Sequence, residues 1–145
     1  MKHRKDKFLL GVFLGILMVT MAVLSGCGAK AEPKPDPGSG KYLIYYLNSS
    51  LTKLVAQEYE TETKDQADLA EELMDQLLHV PRDLDCQPAV NEKVSFKTCR
   101  IDEQVLYLYF DGSYTAMKPE QEILCRAALA RTMTQIPGID YISIY

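Results

Sequence analysis

The sequence predicts an α+β domain, a two-layer sandwich in which two helices pack on one face of a mostly antiparallel sheet. Apolar and aromatic residues run through or alternate in five short segments, as strands require. Two longer segments instead repeat their apolar residues with the period of a helix. The elements follow the order ββα-ββα-β, which is typical of helices covering one side of such a sheet.

The first half of the predicted domain contains two strands and a helix. Residues 42–47 read Tyr-Leu-Ile-Tyr-Tyr-Leu and predict a strand, and an Asn-Ser-Ser turn separates it from a second strand at 53–59. Thr63 or Asp65 can cap the first helix, and Pro81 ends it. The apolar stripe of this helix consists of Leu69, Ala70, Leu73, Met74, Leu77 and Leu78.

The second half repeats the pattern and adds a last strand. Residues 94–100 and 105–110 predict two strands joined by a short turn, and the second is apolar on both faces, as central strands are. Pro119 fits the first turn of the second helix, and the Pro-Gly pair at 137–138 stops it. Residues 139–145 predict the final strand. The apolar side of the second helix is expected to contain Ile123, Leu124, Ala127, Ala128, Ala130 and Met133.

The segment before this domain has the composition of an export signal. Residues 1–7 are mostly basic, residues 8–24 carry no charge, and Leu-Ser-Gly-Cys at 24–27 has the form of a lipoprotein cleavage box. We expect residues 1–26 to be removed as a signal peptide, and Cys27 to become the lipid-modified N-terminus. A retained anchor helix is the alternative, because an apolar run of about 17 residues is at the low edge of what spans a bilayer.

A tether and a charge imbalance follow from this division. Residues 27–40 alternate prolines with charges, a composition that forms no core and favours an extended tether, so the folded domain is expected to span 41–145. Without the signal, the 16 basic and 20 acidic residues become 12 and 19, a net charge of −7. This acidity argues against a nucleic-acid partner. The lipid on Cys27 is expected to provide attachment to the extracytoplasmic face of the cell membrane.

No group of residues has the pattern of a catalytic or cofactor site. The serines have no histidine partner other than His79 and no Gly-x-Ser-x-Gly context, and the sequence has neither a Gly-rich phosphate loop nor a Cys-x-x-Cys pair. Carboxylate pairs such as Asp83 and Asp85 fall in turns, where Asp bonds its own backbone. We therefore expect no enzyme activity, no cofactor, no metal and no small-molecule substrate.

Three cysteines remain once Cys27 is assigned to the lipid. Cys86 and Cys99 flank a loop and are the easier pair for a disulfide, and three free thiols are the alternative. Cys125 lies within the second helix near its apolar side. We expect it to be a buried, inert thiol.

Tyrosines supply the candidate interaction surface, because the chain has nine of them and no tryptophan. Tyr107, Tyr109 and Tyr114 are expected to line one sheet face together with Tyr45 or Tyr59. Side chains with an apolar body and a polar tip suit protein contacts or glycan stacking. The alternative is that they only cover the open face of the sandwich, since strands favour tyrosine. Unpaired sheet edges offer a second route, self-association.

The order of these motifs resembles the GerMN domain of sporulation and spore germination lipoproteins. The resemblance covers residues 42–145 and includes the opening strand Tyr45-Tyr46-Leu47-Asn48 and the strand at 106–110. Its most distinctive part is 127–139, a helix running into Thr-x-Thr, a Pro-Gly turn and the last strand. It implies a fold similar to ring-building modules of secretion-like complexes.

The same resemblance implies a non-enzymatic role in assembling envelope protein complexes, chiefly during endospore formation. The best-known members carry two such domains and continue past the last strand with a turn containing Gly. This chain has one domain and stops at Tyr145, which leaves open a missing C-terminal portion. The alternative function is a cell-wall or ligand-binding lipoprotein of vegetative cells.

Overall fold

The computed structural model describes residues 38–83 and 85–145. The predicted signal, Cys27 and most of the predicted tether lie outside the described residues. The predicted α+β class is confirmed, because two helices pack against strands that are mostly antiparallel. Neither helix in the described part of the chain is long and apolar enough to cross a bilayer.

The first sheet is built around β1, residues Lys41–Asn48. One side of β1 pairs antiparallel with β2, residues Leu54–Glu60. The other side pairs only at its end, with the two-residue strand β3, Cys86–Gln87. Side chains on both faces of β1 are buried, including Ile44 and Tyr45, so this strand belongs to the core.

The turn between β1 and β2 is held by Asn48. Its side-chain oxygen accepts hydrogen bonds from the backbone N–H groups of Thr52, at 2.8 Å, and Lys53, at 3.0 Å. Leu51 within this turn has a φ of 53°, a left-handed conformation that is uncommon for a leucine. The bonds to Asn48 close the turn around it, as the Asn-Ser-Ser signal predicts.

The second sheet has the order β4-β5-β6. β4 (Phe96–Asp102) and β5 (Val105–Phe110) form an antiparallel hairpin, and the register shifts near the start of β4. β6 (Tyr141–Ile144) returns to lie parallel beside β5. Leu106 and Leu108 of β5 are fully buried on the inner face. β5 is therefore the central strand of its sheet, as its apolar composition predicts.

Both helices join the two sheets. α1 (Gln66–Leu78) contacts β1 and β4, and Asp65 caps it by accepting hydrogen bonds from two backbone N–H groups of its first turn. A 3-10 helix at Gly112–Ala116 precedes α2 (Pro119–Met133), which contacts β1 and β6. The buried residues of α1 are those of the predicted stripe except Leu78, which is half-buried: Leu69, Ala70, Leu73, Met74 and Leu77.

Two side chains at the end of α2 seal the remaining edge of β1. The backbone N–H of Leu43 donates to Gln135 Oε1 at 2.8 Å, and Gln135 Nε2 donates back to the Leu43 carbonyl at 2.7 Å. The backbone N–H of Tyr45 donates to Thr132 Oγ1 at 3.2 Å. We call Thr132 and Gln135 the helix-end clamp. The clamp bonds backbone groups that a neighbouring strand would otherwise pair with. The strands form two three-stranded sheets rather than the one sheet predicted.

The Pro-Gly turn after α2 holds the clamp against α1. Gln66 Nε2 donates a hydrogen bond to the Pro137 carbonyl. Gly138 has a φ of 85°, and a Cβ there would lie 2.7 Å from Gln66 Nε2. Position 138 therefore favours glycine for its left-handed backbone conformation, and a Cβ there would displace the end of the flexible Gln66 side chain.

Candidate functional site

The outward face of the second sheet carries the candidate interaction site. Tyr107 and Tyr109 of β5 lie on this face, as predicted, and both are half-buried. The ring of Tyr145 stacks against both of them, with centroids 6.0 Å and 5.5 Å away and interplanar angles of 30° and 24°. Tyr141 lies on the same side of β6 as Tyr145, and the two are 65% and 63% exposed. We call these four residues the tyrosine face.

A cation completes the tyrosine face. The guanidinium carbon of Arg100, on β4, lies 4.7 Å from the ring centroid of Tyr107. Arg100 Nη1 is also 3.3 Å from Asp102 Oδ2 on the same strand. An arginine over a tyrosine ring is a favourable cation–π contact. The surface therefore combines aromatic rings with a charged pair at its margin.

The sequence-based reasoning missed three residues of this surface: Arg100, Tyr141 and Tyr145. The alternation of side chains along the last strand is the signal that could have predicted the two tyrosines. Because Ile142 and Ile144 pack against the core, Tyr141 and Tyr145 must point the other way. The position of Arg100 opposite Tyr107 depends on the β4–β5 register, which the sequence alone does not determine.

Two of the predicted surface tyrosines are core residues instead. Tyr45 is buried on β1, and the guanidinium carbon of Arg131 lies 4.6 Å from its ring centroid. Tyr114 is buried in the 3-10 helix, where its ring lies 5.0 Å from that of Phe110. Burial raises the pKa of Tyr114 to about 12. The prediction that Tyr45 and Tyr114 share a sheet face with Tyr107 and Tyr109 is wrong.

Tyr59 also has a structural contact rather than a free surface position. Its hydroxyl, on β2, donates a 2.6 Å hydrogen bond to Glu72 Oε1 on α1. This bond to Glu72 raises the pKa of Tyr59 to about 12. Hydrogen bonds from Thr63 and then from Tyr59 lower the pKa of the Glu72 carboxyl. Tyr59 thus ties β2 to α1 and is not part of the tyrosine face.

The described cysteines are free thiols. Cys86 lies in the first sheet and Cys99 in the second, so of the two possibilities that the sequence leaves open, a Cys86–Cys99 disulfide or three free thiols, the structure has the free thiols. Burial raises the pKa of both thiols. Cys125 is buried, as predicted, and burial raises its pKa to about 12. All three environments favour the thiol over the nucleophilic thiolate.

Two depressions on the described surface lie on either side of Val80, whose side chain is 76% exposed. One, of about 310 Å³, is lined mainly by apolar residues such as Leu51 and Met117. The other, of about 410 Å³, is lined by residues that include Gln57 and His79. Neither lining includes a serine, threonine or cysteine. Within 38–83 and 85–145, no cluster of His, Cys, Asp and Glu is arranged to hold a metal ion.

The fold and the site together define an α+β module that presents aromatic rings and an arginine on one open sheet face. The chain belongs to the Germane family of sporulation and spore germination, whose sequence model matches residues 43–145. This match confirms the resemblance found in the motifs. No curated protein sequence matches the chain.

Two solved structures are similar to this chain. The first is the first GerMN domain of the sporulation protein GerM from Bacillus subtilis, with a TM-score of 0.59 and 14% identity over 72% of this chain and 80% of that one. The second is a Clostridium perfringens protein described as "Putative Lipoprotein", with a TM-score of 0.49 and 18% identity over 76% and 77% of the two chains. The first similarity supports the fold.

Proposed function

We propose that this protein is a lipid-anchored envelope lipoprotein whose domain binds other envelope proteins and supports assembly of a sporulation or spore-germination complex. The family match supports the biological setting. The Leu-Ser-Gly-Cys sequence at 24–27 supports anchoring through Cys27 at the extracytoplasmic face. Self-association through a sheet edge is a second contact that the domain can make.

The tyrosine face is the observation that carries the binding role. Tyrosine and arginine are enriched at protein interfaces and among the residues that contribute most to binding. Tyr145 is held by stacking on Tyr107 and Tyr109, so ordering these rings on binding costs little conformational entropy. Arg100 adds a donor of charge-assisted hydrogen bonds at the margin.

The described residues support a binding role better than a catalytic one. A nucleophile needs an adjacent base or a lowered pKa, and the pKa of each described thiol is raised. No serine lines either surface depression next to His79. The proposed role therefore needs no enzyme activity, cofactor or small-molecule substrate.

Crosslinked capture from membranes of sporulating and growing cells tests the role. We expect the full-length protein to recover envelope proteins. The double variant Arg100→Ala/Tyr141→Ala should reduce recovery about tenfold, as the loss of two interface anchors predicts. Glu58→Ala, an exposed change on the first sheet, is the matched control and should recover as much as wild type. Recovery of no envelope protein in either state, or equal recovery with both variants, would contradict the proposal.

The anchor is tested separately with Cys27→Ala. We expect this variant to be released from the membrane or to remain unprocessed, because the residue that receives the lipid is lost. Fractionation and mass determination of the N-terminus measure both outcomes. A variant that is correctly cleaved and still lipid-modified would refute the assignment of Cys27.

Glycan binding in the cell wall of vegetative cells is the alternative function. The near-parallel rings of Tyr107, Tyr109 and Tyr145 favour it, since flat aromatic surfaces stack on sugars. Retention of the full-length protein on purified peptidoglycan, lost in Tyr145→Ala, would support this alternative over protein binding.

A further inference from the structure

The edges of the first sheet are protected against pairing with another strand. The clamp and β3 close one edge of β1, and Lys41 N–H donates to Ser39 Oγ at 3.3 Å beyond them. The other edge of this sheet is β2, which carries the exposed side chains of Glu58 and Glu60. Charges on an edge strand disfavour the approach of a neighbour.

The second sheet has one protected edge and one unprotected edge. β4 carries the charged residues Lys97, Arg100 and Asp102, and its ladder is irregular between Phe96 and Thr98. Charges and irregular ladders are the devices that natural sheets use against edge pairing. The opposite edge, residues 141–145, has no charge, no proline and no bulge.

The backbone of β6 leaves hydrogen-bonding groups pointing outward. Tyr141 N–H and Tyr145 N–H donate to carbonyls on the β5 side, at 3.1 Å and 2.9 Å. Because N–H groups alternate in direction along a strand, those of Ile142 and Ile144 face away from β5. No hydrogen bond from the residues at 38–83 or 85–145 reaches either outward group.

The sequence of this edge is a palindrome, Tyr-Ile-Ser-Ile-Tyr, centred on Ser143. If a second copy approaches antiparallel about Ser143, Tyr141 lies opposite Tyr145 and Ile142 lies opposite Ile144. Each isoleucine pair then exchanges two N–H···O bonds, since their backbone groups already point outward. The same contacts form on both sides of the two-fold axis, as an isologous interface requires.

We propose that two copies of this protein pair antiparallel through β6 to form one continuous six-stranded sheet. The inference rests on the self-association contact of the proposed function and names its partner and register. The isoleucines pair on the inner face, and Tyr141 of one copy extends the tyrosine stack of the other. Because this ladder is short, membrane anchoring of both copies assists it by raising their local concentration.

Disulfide trapping of Ser143→Cys tests the register. The two Ser143 positions form a non-hydrogen-bonded pair with Cα atoms about 4.5 Å apart, within the range for a disulfide. In membranes treated with diamide, two thiols lose their protons and electrons to the diamide and form one S–S bond. We expect a reducible dimer with Ser143→Cys and at least tenfold less with wild type or Thr98→Cys, an exposed position on β4.

Charge pairing tests the same register without relying on a new thiol. Tyr141→Lys/Tyr145→Lys places lysines opposite lysines and should abolish the dimer of detergent-solubilised full-length protein. Tyr141→Lys/Tyr145→Glu places opposite charges together and should restore it, measured as mass by light scattering. Both positions are exposed, so neither variant disturbs the core.

The outcomes separate this inference from the proposed function. Equal trapping at positions 143 and 98, or equal dimer content in the two charge variants, would overturn the β6 pairing. If the full-length wild-type protein still captured envelope proteins in that case, the proposed function would remain supported. A specific β6 dimer with no captured envelope protein would support the pairing and contradict the proposed role in assembly.

Discussion

The two sheets of this domain differ in how much of their surface is closed. The first sheet buries both faces of β1, and the clamp, β3 and the charged strand β2 protect its edges. The second sheet buries one face, with Leu106 and Leu108, and leaves the tyrosine face and the β6 edge accessible. The comparison indicates that the first sheet mainly stabilises the fold and that the second presents the surfaces available for binding.

The largest expected difference between the sheets is in the free energy of unfolding. Ile44→Ala, on β1, should cost about 2–5 kcal/mol because the fully buried side chain leaves a cavity. Tyr141→Ala, on the exposed tyrosine face, should stay within about 0.5 kcal/mol of wild type. Denaturant unfolding measures both, and similar losses would remove the distinction.

A substitution in the helix-end clamp should cause the next largest change in the free energy of unfolding. Gln135→Leu should cost about 1–3 kcal/mol, because it leaves the part-buried N–H and carbonyl of Leu43 without partners. Thr134→Ala is the control: its exposed hydroxyl bonds only the carbonyl of Ala130, and its loss should cost less than about 0.5 kcal/mol. If unfolding shows no difference between the two variants, the clamp does not stabilise β1.

Loss of the hydrogen bond between Tyr59 and Glu72 should cause a smaller change in the free energy of unfolding, and this change should depend on pH. Tyr59→Phe should cost about 1 kcal/mol near neutral pH. The pKa of the Glu72 carboxyl is lowered on folding. The stability that the ionised carboxyl contributes is therefore fully present above its ordinary pKa of 4.5, and it is lost as pH falls through the lowered pKa. The pKa of the Tyr59 hydroxyl is raised from 10.0 to about 12. The stability that the protonated hydroxyl contributes is therefore fully present below pH 10, and it is lost as pH rises toward 12.

Unfolding curves of wild type and Tyr59→Phe across pH measure this linkage. The difference between them should shrink at both extremes, in acid below the folded-state pKa of Glu72 and in base near pH 12. A difference that does not change with pH would show that the hydroxyl and carboxylate are not coupled.

The smallest effect concerns Ile123 on α2. The sequence places it on the apolar side of that helix, but its side chain is 68% exposed. Ile123→Ala should therefore change the free energy of unfolding by less than about 0.5 kcal/mol. A loss above about 2 kcal/mol, the size expected of a core truncation, would mean that this position is covered.

Local sequence patterns predicted most of the elements because each pattern has a local cause. Asp65 caps α1, the stripe from Leu69 to Leu77 is buried, and Pro119 begins α2. The two-residue β3 and the 3-10 helix are not among the elements that the sequence predicts. Short elements such as these depend on tertiary contacts rather than on periodicity.

The error in the buried face of α2 arose where a polar residue takes an inward position. The buried face of α2 follows helical spacing but includes a threonine: Cys125, Ala128, Leu129, Thr132 and Met133. Thr132 is buried because its hydroxyl serves the β1 edge, a contact between distant parts of the sequence. Composition alone also did not separate the buried Tyr45 from the half-buried Tyr107.

The clamp also imposes an order on folding. Gln135 and the Leu43 backbone it bonds are separated by 92 positions, so a growing chain contains the β1–β2 hairpin long before the residues that seal it. Contacts of such high sequence separation form slowly. During that interval β1 has an unpaired apolar edge, a template for association with other nascent chains. Variants of the clamp should therefore lower the yield of folded protein more than their equilibrium stability suggests.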